Sequence, residues 1–141
     1  MTNLQNTKDI VLSDAERKAK WIKTARWIYW VITIAFAGTM LMGGVMFLAG
    51  FSYNVENIKH LGYPLYILKI LGVAKIAGSV VILWGRPRLL KEWAYAGYSF
   101  NLIGAAASHA FCGDGFGVIL VPVTLLFMVL ISYKQWKTGW M

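Results

Sequence analysis

Four long apolar runs, separated by short polar and charged segments, set the architecture of this chain. Residues 28–51, 65–84, 93–111 and 118–133 are almost wholly apolar. Each is close to the ~17–25 residues that a helix needs to cross ~30 Å of hydrocarbon. The pattern predicts an all-α integral membrane protein, an antiparallel four-helix bundle over residues 28–133. A cytoplasmic tail and the start of a basic amphipathic helix, residues 1–27, precede it, and a short cytoplasmic tail, 134–141, follows. The connections at 52–64, 85–92 and 112–117 are too short to fold separately.

Residues 1–12 are polar without a period and read as a mobile tail. Ser13 followed three residues later by Glu16 has the spacing of a capping box, and Asp14 and Glu16 suit the positive end of a helix dipole. A helix is therefore expected to begin there. Ala15, Ala19 and Ile22 alternate with Arg17, Lys20 and Lys23, a basic lead-in that can rest on anionic headgroups or simply extend the first span. The first apolar run starts too late and runs too long for the core of a cleaved signal peptide, so it reads as a retained span. Gly85-Arg86-Pro87 and Gly113-Asp114-Gly115 mark sharp helix ends, and Pro122 falls in the first turns of the fourth span. Small residues recur at four-residue spacing: Ala35, Thr39 and Gly43; Ala74 and Gly78; Gly104 and Ser108. Such rows let helices approach closely in lipid.

Composition sharpens this picture. Of 141 residues, 58% are hydrophobic and 14% charged, with a mean hydropathy of +0.57, far more apolar than a soluble domain requires. The net charge of +8 points to topology and not to nucleic acid. Lys8, Arg17, Lys18, Lys20, Lys23, Arg26, Arg86, Arg88, Lys91, Lys134 and Lys137 all fall on one side of the four spans, against Lys59 alone in the loops of the other. The positive-inside rule then puts both termini in the cytoplasm of a multi-pass protein of the cell membrane, the inner one in a Gram-negative bacterium. Aromatic residues at the basic ends, Trp21, Trp27, Tyr29, Trp30, Trp84, Trp93, Tyr95, Tyr133 and Trp136, read as headgroup anchors. The single cysteine, Cys112, excludes an internal disulfide, and no metal-ligand spacing, nucleotide loop or nucleophile motif is present.

Lys75 is the candidate with the strongest physical reason behind it. It lies midway along the second run, where an ammonium costs at least about 2.5–3.5 kcal/mol to insert, and no Asp or Glu lies inside any run. It can lose its proton, bond carbonyls and Asn101, or meet an anion from outside the chain. Asn101 sits at similar depth in the third run and comes within reach. Tyr98, Asn101, Ser108, His109 and Cys112 share about a third of that helix's circumference, a polar stripe from the midplane to the outer surface. Tyr98, Asn101 and Ser108 equally suit plain interhelical hydrogen bonds, worth ~0.6 kcal/mol each. His109 suits proton exchange near neutral pH and approaches His60, Glu56 and Asp114 only where the loops fold over the helices. Glu92 lies about 25 Å from His109 on the same helix, so the two form no single acid/base site. No catalytic residue is assigned.

Several motifs resemble one family. His60-Leu61-Gly62-Tyr63-Pro64, Leu71-Gly72-Val73-Ala74-Lys75 with Gly78, Lys91-Glu92-Trp93-Ala94-Tyr95-Ala96-Gly97, Ser108-His109 and Gly113-Asp114 stand in an order and spacing similar to the DoxX-like family of small four-span bacterial membrane proteins. The resemblance covers residues 28–133 and is most specific in the Lys91–Gly97 run. It implies a four-helix antiparallel bundle, with the family's buried lysine at Lys75, its inner carboxylate at Glu92 and its outer serine-histidine pair at Ser108 and His109. Many members carry an acid where this chain has Asn101, so the obvious counter-ion of Lys75 is replaced here by an amide. The founding name belongs to a membrane subunit of a thiosulfate:quinone oxidoreductase. The resemblance therefore implies a redox-linked accessory subunit, with a quinone as the cofactor candidate and a second membrane protein or another copy of the chain as partner. The alternative is a non-enzymatic assembly or stabilising factor for another membrane complex, in which Lys75 meets a partner's carboxylate. A transporter ranks third, because no inverted repeat or broken helix is evident.

Overall fold

The computed structural model describes residues 2–139, and among them every regular element is a helix. They are α1 (Thr2–Ala49), α2 (Ser52–His60), α3 (Tyr66–Trp84), α4 (Arg88–Phe111) and α5 (Phe116–Lys137). Three of them, α1, α3 and α5, are long and apolar enough to cross a membrane. α4 is longer than α3, with 24 residues, but its stripe of Tyr98, Asn101, Ser108 and His109 makes it less apolar.

The N-terminal expectation is overturned. α1 runs unbroken through 48 residues, a rod of about 72 Å, and residues 2–12 belong to it. Ser13 is no N-cap: its Oγ donates back to the Ile10 carbonyl at 2.9 Å, inside the helix. The reason lies in composition. No Gly or Pro precedes Gly38, and the segment is rich in Ala, Lys, Glu and Leu, so nothing stops a helix once formed. Residues 3–24 are all exposed, and the arm projects beyond the packed region.

The long helices close on one another, α1 against α3 and α5, and α4 against α3 and α5. Across the core Tyr29 meets Lys91 and Phe36 meets Tyr98, steps of seven residues in both helices, so α1 and α4 run in the same direction. Tyr95 pairs with Ser132 and Glu92 with Lys137, an inverse order that makes α4 and α5 antiparallel. Phe36, Met40, Ile82, Tyr95, Tyr98, Leu102 and Val129 form the apolar centre. A hydroxyl chain links three helices through it: Thr33 to Ser132 at 2.6 Å and Ser132 to Tyr95 at 2.8 Å. Tyr29 and Tyr95, expected among the headgroups, are 1% and 3% exposed. Their hydroxyls are satisfied inside the protein, which removes the reason for them to face water.

The glycine crossing between α1 and α3 also differs from the expected row. Ala35 and Thr39 are exposed, and a Cβ on Gly43 would meet nothing within 4 Å. The close approach uses Gly44 instead, whose added Cβ would lie 2.9 Å from the Gly72 carbonyl oxygen and 2.9 Å from Ile76. A step of one residue turns a helix by 100°, enough to exchange an outward position for an inward one. Gly78 holds its expected role, with the Tyr98 ring resting where its side chain would be.

Two chain reversals bear on the site. Gly85, at φ 77°, ends α3 in the left-handed conformation and Pro87 opens α4. At the opposite end α2 forms a short helix where a loop was expected, burying Ile58 and Asn54, and the turn after α4 brings Asp114 beneath it.

Candidate functional site

Lys75 comes from the middle of α3, beside the glycine crossing with α1. That crossing leaves its side chain between Met40 and Phe47: Nζ lies 4.0 Å from the Met40 sulfur and 4.9 Å from the centre of the Phe47 ring. Sulfur is a weak acceptor and the ring face offers only a quadrupole. Among the described residues no carboxylate or carbonyl oxygen accepts from this ammonium. Its own main-chain carbonyl is engaged elsewhere, accepting from the Tyr98 hydroxyl.

Lys75 opens onto a cavity of about 230 Å³ between α1, α2, α3 and α4. Asn101, Gly104, Ser108 and His109 line it from α4, Tyr63 from the turn after α2, and Phe47, Ile67, Leu71 and Phe100 supply apolar wall. Of the polar stripe read from the sequence, Asn101, Ser108 and His109 face this chamber and Tyr98 and Cys112 do not line it; Lys75 and Asn101 share the cavity with no direct hydrogen bond between them. Gly104 contributes space, since a Cβ there would meet nothing.

The mouth at the α2 end is closed by hydrogen bonds between segments distant in sequence. Tyr63 Oη and Ser108 Oγ lie 2.8 Å apart. Asp114 bridges two histidines, with His109 Nδ1 at 2.6 Å from one carboxylate oxygen and His60 Nε2 at 2.7 Å from the other. The loops do fold over the helices. An ionised carboxylate only accepts, so both rings donate to it, and Nε2 of a neutral His109 is left as an acceptor. The bonds from His109 first and His60 second hold the Asp114 carboxyl below the ordinary carboxylate range. His109 is 8% exposed and lines the cavity, whereas His60 is exposed. The two rings and the carboxylate between them form a hydrogen-bonded bridge from chamber to solvent.

A family profile described as DoxX-like matches residues 31–132 of the chain. The chain belongs to the DoxX-like family. Among curated proteins, this DoxX-like chain is 25% identical over 105 residues to the uncharacterized protein YdgD of Bacillus subtilis (strain 168), covering 72% of this chain and 89% of YdgD. No solved structure matches it.

Within the DoxX-like fold, the positions carried over by motif divide into two groups. Lys75, Ser108 and His109 share the cavity. Glu92 lies at the other end of α4, where its carboxylate accepts from Lys137 on α5. Tyr98 is also set apart. Its ring packs edge-on against Phe36 and its hydroxyl pairs with Ser79 at 2.8 Å, so it fixes α3 against α4 inside the core. Cys112 caps α4 and is exposed, with its sulfur 3.9 Å from the His60 carbonyl.

Sequence reasoning missed Lys91. Placed among surface cations by its neighbours, it is 2% exposed. Its Nζ donates to Tyr29 Oη at 3.0 Å and lies 5.1 Å from the centre of the Trp136 ring. A signal existed, because residues 91, 95, 98 and 102 follow helical spacing and all four are buried on α4. Projecting the Lys91–Gly97 run onto a helix would have put the lysine on the face of Tyr95 and Tyr98.

Proposed function

We propose that this DoxX-like membrane protein spans the bilayer as an antiparallel four-helix bundle and acts as a redox-linked accessory subunit, holding the head of a quinone in the Lys75 cavity. The observation that carries the reading is the chamber itself. It gathers an ammonium with no oxygen acceptor, an amide, a hydroxyl pair and a histidine tied through Asp114 to a second histidine at the surface. A quinone oxygen gains negative charge on reduction, and Lys75 is positioned to stabilise it. Reduction to the quinol also takes up protons, for which the His109–Asp114–His60 bridge supplies a path from the outer face. The size agrees with a head alone: drug-sized ligands need about 300–1,000 Å³, so a tail would leave between the helices into lipid. Electrons would come from a partner protein, as this chain carries no cofactor motif and one thiol. The basic end, with both chain termini, faces the cytoplasm of the bacterial cell membrane on this reading.

The alternative, an assembly factor or homo-oligomer, draws support from one surface. Ala35 and Thr39 are exposed and Gly43 half-buried along one row of α1, with open space beside Gly43, suited to close approach by another helix.

The test is titration of a short-tailed quinone into the purified protein in lipid nanodiscs, with Lys75→Met as comparison. Met fills similar volume without charge. A hydrogen bond from a charged donor is worth about 1.5–3 kcal/mol, so affinity should fall roughly ten- to a hundredfold. Equal affinity in both proteins would remove Lys75 from the site. No binding to either would favour the assembly role, and robust turnover by the chain alone with an artificial donor would defeat partner dependence.

A further inference from the structure

A second and larger groove opens at the basic end, away from the Lys75 chamber. It measures about 1180 Å³ and lies where α3 turns into α4, with Trp136 of α5 on its far side. Its wall is Ala77, Val80 and Val81 along α3, running toward the middle of the membrane-crossing helix, and Leu90 of α4. Its rim is cationic: Arg86 and Arg88 are both exposed, and among the described residues neither forms an ion pair. Trp84 and Trp136 flank the rim at the level where indoles settle among headgroups. Behind it lies the buried Lys91, whose ammonium is 3.9 Å from the position a Cβ would take on Gly85 and rests over the Trp136 ring, two of the groove's own residues. The nearby carboxylate, Glu92, is already engaged by Lys137.

An apolar wall parallel to the acyl chains, continuous with a cationic rim at headgroup height, matches one kind of occupant. We propose that this groove is a specific site for an anionic glycerophospholipid, its phosphate held between Arg86 and Arg88 and one acyl chain lying along Ala77, Val80 and Val81. This goes beyond general contact with the bilayer, because among the described residues the arginines have no counter-charge and Lys91 adds positive potential from inside. A fork of guanidinium donors also recognises phosphate oxygens pairwise, which a zwitterionic headgroup would offset with its own ammonium. The inference does not rest on the quinone reading, since it uses none of the cavity residues.

The test is native mass spectrometry of the protein in detergent, titrated with phosphatidylglycerol and, separately, with phosphatidylcholine of the same chains. Three proteins are compared: wild type, Arg86→Gln/Arg88→Gln, and Lys20→Gln/Lys23→Gln. The last pair removes the same charge from the exposed arm of α1. Each basic residue near an anionic headgroup changes binding about fivefold, so phosphatidylglycerol affinity should fall roughly thirtyfold in the arginine variant. It should stay within about twofold of wild type in the lysine control, whose residues lie outside the groove. Equal loss in both variants would reduce the effect to overall charge and overturn the site. So would equal binding of the two lipids by wild type, or competition by inorganic phosphate as strong as that by the lipid.

Discussion

Gly44→Ala, set beside Gly43→Ala, tests the helix crossing that frames the Lys75 chamber. Both substitutions add one methyl to α1, and both carry the same gain in helix propensity, up to about 1 kcal/mol. Their surroundings differ. At position 43 the new Cβ meets nothing within 4 Å, whereas at position 44 it lands 2.9 Å from the Gly72 carbonyl oxygen, 2.9 Å from Ile76 and 3.1 Å from Lys75 Cβ. The first of these is backbone, so no rotamer change relieves it, and α1 must move away from α3. Overpacking of this kind costs about 1–3 kcal/mol, and here it also forfeits dispersion along the α1–α3 contact, the main attraction between helices in lipid. Gly44→Ala should therefore be less stable than Gly43→Ala by about 1–3 kcal/mol. The readout is reversible unfolding in mixed micelles followed by circular dichroism, with both variants and wild type measured side by side. A Gly44→Ala protein as stable as Gly43→Ala would refute the crossing. Displacing α1 also shifts Phe47, so quinone affinity should fall in Gly44→Ala and remain unchanged in Gly43→Ala.

Two further predictions address the end that carries α2. Cys112 is exposed at the C-cap of α4, at the opposite end from the basic turn. A membrane-impermeant thiol reagent should label it from outside intact cells, and labelling only after access to the cytoplasmic face would invert the proposed orientation. Asp114 has a folded-state pKa below its unfolded value, owing first to the bond from His109 and then to that from His60. Its contribution to stability is thus complete above the unfolded carboxylate value, about 4, and is lost as pH falls through the lower folded value. Asp114→Asn should flatten the fall in thermal stability below about pH 4, and an unchanged profile would show that the bridge does not hold that end.

Apolar run length and glycine or proline stops were enough to locate α3, α4 and α5 to within a few residues at most ends, and the charge pattern separated one basic end from the other. The shared face of Asn101, Ser108 and His109 was equally readable, since spacing along one helix is fixed by its own backbone. Rotation of a helix against its neighbours is a different matter. The four-residue row pointed to Gly43, and only packing against Gly72 showed that Gly44 makes the contact instead. Lys91 looked like a surface cation beside Arg86 and Arg88 until Tyr29 and Trp136, from α1 and α5, closed over it. The His60–Asp114–His109 bridge joins residues 54 and 5 positions apart, and no local signal announces that α2 folds down onto the turn after α4. Helical period and composition are properties of a segment, legible one residue at a time, whereas burial, partner choice and the shape of a cavity belong to several segments at once and were decided only when those helices packed.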